Sequence, residues 1–195
     1  MDYDVIDLGL TSKYATCNLG ATSPVESGEY FAWGELETKI RFNTDNYLYY
    51  ANGNCKYGKE GDCARLNPKI NTILDSEDDV AHMRLGGSWR MPCLKDIAEL
   101  HDKCTWEWTR RKGVKGYLLT SKVEGYTDRS IFLPAAGFVL RDEKKNVGKA
   151  GYYWTSELYN QNARDAITTA FDRHILIRYL PNPRYAGLCI RPVCD

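Results

Sequence analysis

The chain has 195 residues, with 26 basic and 26 acidic side chains, 43% hydrophobic residues and 27% charged residues. These values are ordinary for one globular domain, and the balanced charge argues against nucleic acid or an anionic membrane as a partner. No stretch reaches the roughly 18 uninterrupted apolar residues that a membrane-spanning helix needs. We therefore expect no transmembrane segment and no nucleic-acid partner.

Short runs rich in β-branched and aromatic residues predict a β-rich chain, because glycine, proline and asparagine separate them. No repeat or linker divides the sequence, so we interpret residues 1–195 as a single domain. The predicted strands are Asp4–Leu8, Tyr14–Asn18, Glu29–Trp33, Tyr117–Ser121, Ile131–Leu133, Tyr152–Ser156, Ala166–Phe171, Ile175–Leu180 and Leu188–Val193.

Two helices are predicted between the early and the late strands. The first starts in Asp75–Asp79, where Ser76 has the spacing of an N-cap, and it ends at the glycine pair that begins at Gly86. The second runs from about Leu94 to Cys104, because apolar residues recur on one face and charged residues on the other.

A polar, turn-rich stretch over residues 39–71 predicts an irregular insertion. Cys55 and Cys63 bracket a glycine-containing loop within it, and their spacing allows a disulfide. The chain has seven cysteines, so at least one is unpaired within the chain. No C-x-x-C pair occurs and the histidines lie far from any cysteine cluster, so we expect neither a metal site nor another cofactor.

The sequence lacks the familiar catalytic signatures, namely the phosphate-binding loop and the G-x-S-x-G elbow. The acidic run Asp75–Asp79 is typical of a helix start, where negative charge suits the helix dipole. Cys189 and Cys194 form a second close pair. Their odd separation would place the two side chains on opposite faces of a strand. These patterns favour a protein that is not an enzyme.

Seven short motifs follow one another along nearly the whole chain. They are DLGL at 7–10, YATCNLGA at 14–21, GEYFAWGE at 28–35, GGSWRMP at 86–92, IFLPAAG at 131–137, GYYWTS at 151–156 and IRPV at 190–193. This ordered series resembles the Fibrobacter succinogenes major paralogous domain family, which is abundant in gut Bacteroidetes.

The resemblance implies an α+β chain with the C-type-lectin-like fold of the formylglycine-generating-enzyme type, built of short twisted antiparallel strands and two main helices. It also implies a lipoprotein displayed at the cell surface, whose leader is not present in this chain; an intracellular or phage-borne protein is the alternative. Relatives diversified by retroelements use their last strands and loops as a variable ligand surface.

The C-terminal strands and loops are therefore the predicted recognition surface. In Ile175–Leu180, alternation sends Ile175, Ile177 and Tyr179 toward the core and the residues between them outward. The candidate ligand-binding residues are Tyr159, Asn160, Asn162, Thr168, Leu176, Arg178, Leu180, Asn182, Arg184 and Tyr185.

We expect a non-catalytic binding module, an adhesin or receptor-like protein that recognises a protein or a glycan. One alternative is a copper- or thiol-dependent oxidoreductase of the formylglycine-generating-enzyme type, which needs two cysteines in one pocket, including Cys189 or Cys194. Another is a structural component of a surface or phage assembly. The sequence leaves the ligand and the oligomeric state open.

Overall fold

The structure is a computed structural model that describes residues 3–50, 54–67 and 72–195. A single 3-10 turn, Ser76–Asp78, precedes the first helix. The helices and strands of the described residues are, in chain order, β1 (Val5–Ile6), β2 (Lys13–Ala15), α1 (Val80–Leu85), α2 (Leu94–Lys103), β3 (Cys104–Arg111), β4 (Val114–Ser121), β5 (Ser130–Pro134), β6 (Phe138–Leu140), β7 (Glu143–Lys145), β8 (Ala150–Leu158), β9 (Asp165–Asp172), β10 (Leu176–Pro183) and β11 (Val193–Cys194).

The strands form small antiparallel sheets. Their orders are β1-β2-β11, β3-β4-β5, β6-β7 and β10-β9-β8. The predicted α+β architecture, with short antiparallel strands and two helices, is confirmed. No helix in the described part of the chain has the length and hydropathy needed to cross a lipid bilayer.

The two ends of the chain meet in the first sheet, where Val193 of β11 pairs with Tyr14 of β2. Arg191, just before β11, is buried and extends its guanidinium under the N-terminal segment. It donates hydrogen bonds to Asn18 Oδ1 (2.9 Å), to the carbonyls of residues 15 and 16, and to Phe132 O (2.9 Å). This arginine ties the C-terminal segment to the N-terminal segment and to β5.

Helix α1 begins one turn later than the sequence predicts, and its N-cap is Asp79 rather than Ser76. The Asp79 carboxylate accepts hydrogen bonds from the backbone N–H groups of Ala81 and His82, and also from Met91 N (2.8 Å). Ser76 instead starts the 3-10 turn. The helix ends at Gly86, whose φ of 71° is the left-handed conformation that glycine adopts readily.

Helix α2 lies where the sequence predicts it, and its start is fixed by the buried Asp96. The Asp96 carboxylate accepts from the backbone N–H of Cys93 (2.7 Å), from Ser12 Oγ (2.8 Å) and from Arg90 Nη1 (2.7 Å). Burial raises the pKa of Asp96, but these hydrogen bonds and the arginine outweigh it and hold that pKa below its ordinary value.

Asp4–Leu8 and Tyr14–Asn18 were predicted as longer strands than β1 and β2, and two further predicted strands are largely absent. Isolated bridges replace them, such as the one between Phe31 of Glu29–Trp33 and Leu188 of Leu188–Val193. Of the second range, only Val193 lies in a strand, together with the residue after it. The physical reason is that their backbone groups bond one at a time to different segments. Trp33 N donates to Arg184 O, for example, and Leu19 N donates to Ile190 O. Strands β3, β6 and β7 were not predicted.

The insertion, residues 39–71, contains no helix or strand in its described part, as predicted, but it is firmly attached to the core. Tyr47, Tyr49 and Tyr57 are buried in the same hydrophobic cluster as Trp33. Tyr47 donates to Trp33 O (2.7 Å) and Tyr49 donates to Gly34 O (2.9 Å). Tyrosines therefore supply the packing that regular secondary structure does not.

Candidate functional site

The predicted inward face of β10 is wrong. Ile175 is 54% exposed and Tyr179 is 43% exposed, more than Leu176 at 39%, which was predicted to point outward. Strand β10 is the edge of its sheet, and its register shifts between Ile177 and Leu180. A shift of this kind breaks the strict alternation on which the prediction depended.

Two side chains of β10 are held by α2. Arg178 forms an ion pair with Asp102 at the end of that helix. Tyr179 donates to Leu94 O at 3.4 Å, at the start of the same helix. Arg178 was predicted to contact a ligand, but its guanidinium already has a partner within the chain.

Two other candidate ligand-binding residues, Thr168 and Arg184, are fully buried rather than exposed. Thr168 lies in the central strand β9, where its hydroxyl donates to Leu180 O (2.9 Å) and accepts from Asn182 Nδ2 (2.8 Å). Because these hydrogen bonds join β9 to β10, Thr168 and Asn182 stabilise the sheet. Arg184 was predicted to lie in an exposed turn. That prediction is wrong, because its side chain points inward and lies near three aromatic rings.

Tyr159, Asn160 and Asn162 lie around the turn between β8 and β9, while Leu176 and Leu180 lie in β10 and Tyr185 follows that strand. Asn162 Oδ1 accepts from the backbone N–H groups of Arg164 (2.8 Å) and Asp165 (3.1 Å), which fixes the turn. Tyr159 N donates to Asp165 O, while Asn160 is exposed. The structure therefore separates the candidates, and only Asn162 and Tyr185 of the predicted set line the concave surface described next.

Three adjoining cavities lie between the insertion and the C-terminal segment. The central cavity, of about 530 Å³, shares Thr44 and Tyr185 with a second of about 430 Å³, and it shares Asp62 and Arg164 with a third of about 520 Å³. We call this surface the arginine groove. Its lining residues are Arg41, Phe42, Asn43, Thr44, Asp45, Tyr50, Gly61, Asp62, Cys63, Ala64, Arg65, Leu66, Leu140, Arg141, Gln161, Asn162, Arg164 and Tyr185.

The loop over residues 54–64 forms one wall of the groove and is anchored in two ways. A disulfide joins Cys55 to Cys63, the pairing that the sequence allows. Lys56 Nζ contacts three carboxylates at and beside the 3-10 turn, those of Asp75 (3.2 Å), Glu77 (2.7 Å) and Asp78 (2.6 Å). This loop is therefore a positioned wall, although it has no regular secondary structure.

Asp75, Glu77 and Asp78 place three carboxylates close enough together to be potential metal ligands. The Lys56 ammonium lies among these three carboxylates and supplies the positive charge there. Burial lowers the pKa of Lys56, but the hydrogen bonds to the carboxylates outweigh it and raise that pKa. The geometry is that of an ion-pair anchor rather than a cation site.

A fourth cavity, of about 370 Å³, lies on another part of the surface between α1 and α2 and includes His82, Trp89 and Cys93. His82 Nδ1 lies 3.2 Å from Trp89 O. Burial raises the pKa of the Cys93 thiol, so this thiol is a poor nucleophile at neutral pH. The cavity therefore lacks the activated cysteine that a thiol enzyme needs.

Sequence reasoning missed most residues of the groove. Arg41, Tyr50 and Asp62 come from the insertion, while Arg141 and Arg164 lie about a hundred residues further along the chain. No local motif links them. One signal that could have indicated a fixed wall is the tyrosine-rich segment of the insertion, because tyrosines pack readily against a core.

The fold and the groove define a class of protein: an α+β chain of small antiparallel sheets whose insertion and C-terminal segment enclose a concave surface. More particularly, the chain belongs to the family described as a domain of unknown function (DUF8237), whose model matches residues 95–193. This match covers α2 from its second residue and the strands through β11, and so includes the C-terminal wall of the groove. No curated protein and no solved structure matches the chain.

Proposed function

We propose that this chain is a non-catalytic binding module, a surface-displayed adhesin or receptor-like protein that holds a protein or glycan in the arginine groove. The observation that carries the proposal is the continuity of three cavities across two distant parts of the sequence. Each has the size of a ligand site, which is on the order of 300–1,000 Å³. Together they offer an extended surface rather than a closed pocket.

The groove has the residue types of a recognition surface. Tyr50 and Tyr185 present partly buried rings, and arginine and asparagine side chains surround them. Tyrosine and arginine are enriched where proteins recognise partners, because they combine a large contact area with directed hydrogen bonds. Tyr50 is itself fixed, since its hydroxyl donates to Arg164 O at 3.1 Å. Little ordering is therefore needed when a ligand binds.

The proposal includes the fold and the location that the motif series implies. We propose the C-type-lectin-like fold of the formylglycine-generating-enzyme type and membership of the Fibrobacter succinogenes major paralogous domain group. Motif residues such as Trp33, Trp154 and Arg191 support this, because all three are buried structural residues. The Cys55–Cys63 disulfide supports surface display, since disulfides persist mainly in oxidising compartments.

The oxidoreductase alternative is disfavoured by the state of the cysteines. Burial raises the pKa of the Cys189 thiol to about 12 and that of Cys104 to about 11. Cys189 Sγ donates to Ser27 O (3.1 Å), which holds it as a neutral thiol. Because the thiolate is the reactive form, we propose that these cysteines are structural.

The proposal is tested by probing the purified chain on an array of immobilised polysaccharides and extracellular proteins. Tyr185→Ala and Arg164→Ala, which alter the groove, are expected to reduce capture of any bound ligand at least tenfold. Arg178→Ala and Arg110→Ala are the controls, because neither side chain lines the groove. If capture persists in both groove variants and disappears in Arg178→Ala, the ligand binds at β10 and the groove assignment is wrong.

A further inference from the structure

A buried positive charge lies behind the groove and has no counter-ion in the part of the chain that the structure describes. Arg184 is 0% exposed, and its Nε and Nη2 have no hydrogen-bond partner among the described residues. Nη1 makes one long contact, 3.4 Å to Lys56 O. A guanidinium removed from water normally requires full hydrogen bonding and an opposite charge. Arg184 has neither.

Aromatic rings offset part of this cost. The Arg184 guanidinium carbon lies 5.7 Å from the ring centre of Trp33, 5.4 Å from that of Tyr47 and 5.1 Å from that of Tyr50. Each ring attracts a cation through the negative potential of its face. A ring does not neutralise charge, however, so the positive potential of Arg184 extends beyond the three rings.

That potential reaches the groove through one side chain. Tyr50 has its ring centre 5.1 Å from the Arg184 guanidinium carbon, and it also lines the central cavity. The chain neighbour of Arg184, Tyr185, lines the same cavity, and Arg184 N donates to Arg164 O. Arg184 would therefore attract an anion in the central cavity from behind its lining, and the buried position of the guanidinium weakens the screening of that attraction.

The groove surface is itself cationic. Its charged lining consists of four arginines and two aspartates, on a chain whose formal net charge is zero. None of the four arginine side chains takes part in an ion pair among the described residues. The arginines are Arg41, Arg65, Arg141 and Arg164. Planar guanidinium groups left free in this way suit carboxylates and sulfates, which they bind with paired hydrogen bonds.

We propose that the groove selects an acidic polysaccharide, a chain of sugars that carry carboxylate or sulfate groups. This inference rests on the proposed binding function and names its ligand class. Three cavities in series fit a repeating chain better than a single small anion. Asp45 and Asp62 can accept hydrogen bonds from the hydroxyl groups that sugar units carry, and the rings of Tyr50 and Tyr185 offer flat surfaces for sugar faces.

Affinity electrophoresis of the full chain tests the ligand class. The gels contain polygalacturonate, chondroitin sulfate, neutral galactan or poly-L-glutamate, at matched mass and ionic strength. We expect retardation by polygalacturonate or chondroitin sulfate, and the arm that retards tells a carboxylated ligand from a sulfated one. Retardation should weaken as salt rises, because salt screens the arginines.

Variants locate the effect in the groove. Arg164→Ala and Arg184→Met are expected to weaken binding at least tenfold, while Arg110→Ala, which removes the same charge outside the groove, leaves it within twofold. Arg164 is exposed, so its variant is informative even if Arg184→Met fails to fold. Equal retardation by galactan would overturn the inference but leave a binding groove intact. Stronger retardation by poly-L-glutamate, or none by either acidic polysaccharide, would also overturn it.

Discussion

Two arginines of the C-terminal segment are equally buried but differ in their surroundings. The guanidinium of Arg191 donates four hydrogen bonds, to oxygens of the N-terminal segment and of β5. Arg184, seven residues earlier, makes one long contact and faces aromatic rings. The comparison teaches that burial alone does not define a structural residue. What matters is whether the fold itself supplies the partners.

The same contrast extends to the regions around them. Near Arg191, the buried carboxylate of Asp96 has three hydrogen-bond donors and the chain ends are paired in one sheet. Around Arg184, exposed arginines line a groove and have no ion-pair partner among the described residues. We call Arg191, Asp96 and the paired strands β2 and β11 the closing region. Its buried charged groups have partners within the chain, whereas we propose that a ligand supplies the partners of the groove arginines.

Arg191→Met is expected to have the largest effect on stability, a loss of about 4 kcal/mol in the free energy of unfolding, because several buried oxygens lose their donor together. Guanidinium-induced unfolding followed by tryptophan fluorescence measures it. A loss below about 1 kcal/mol would show that Arg191 and Arg184 are alike, and the comparison would fail.

Removing the disulfide with Cys55→Ser and Cys63→Ser together is expected to cost about 2–3 kcal/mol, since the closed loop is short. The same variant should weaken polygalacturonate binding, because the loop is a wall of the groove. The matching control is Cys17→Ser, a free buried cysteine outside the groove. Unchanged binding in the double variant would mean that Lys56 alone holds the wall.

Asp96→Asn tests the closing region through pH and is expected to cost about 2 kcal/mol at pH 7. The pKa of Asp96 is lowered in the folded protein, so its stabilising contribution is present above the unfolded pKa of about 3.9 and is lost as pH falls through the lower folded value. Unfolding measured from pH 5 down to pH 2 should show a smaller decrease in stability for the variant than for the unmodified chain. Parallel curves would contradict this assignment.

Arg184→Met is expected to have the smallest effect on stability, a change below about 1 kcal/mol, because an apolar side chain replaces a buried charge that has no counter-ion. Binding to polygalacturonate should nevertheless fall at least tenfold. Thermal unfolding and affinity electrophoresis of the same preparation measure the two effects. A large loss of stability, comparable to that of Arg191→Met, would give Arg184 a purely structural role.

Local features of the sequence predicted α2 and several strands well. The periodic apolar face of Leu94–Cys104 and the β-branched runs within β4, β5 and β9 are dictated by neighbouring residues. The start of α1 was less predictable. Ser76 has the right spacing for a cap, but the carboxylate of Asp79 also reaches Met91 across a turn, which the spacing does not reveal.

The candidate site was predicted only in part. Asn162 and Tyr185 were named from the sequence and do line the groove, whereas the outward face assigned to β10 depended on regular alternation. The register shift in that strand and the ion pair between Arg178 and Asp102 arise from contacts with β9 and α2. Neither contact leaves a signal in the strand's own residues.

By itself, the sequence determined the α+β class, the second helix, the irregular insertion and the cysteine spacing that permits one disulfide, because these follow from periodicity and turn chemistry between near neighbours. The tertiary structure alone decided which arginines are satisfied and which are not. The side-chain hydrogen bonds of Arg191 and Arg184 go to residues at least 59 positions away in the sequence. Charge and burial at a site are properties of the packed chain, and a residue's neighbours in sequence do not determine them.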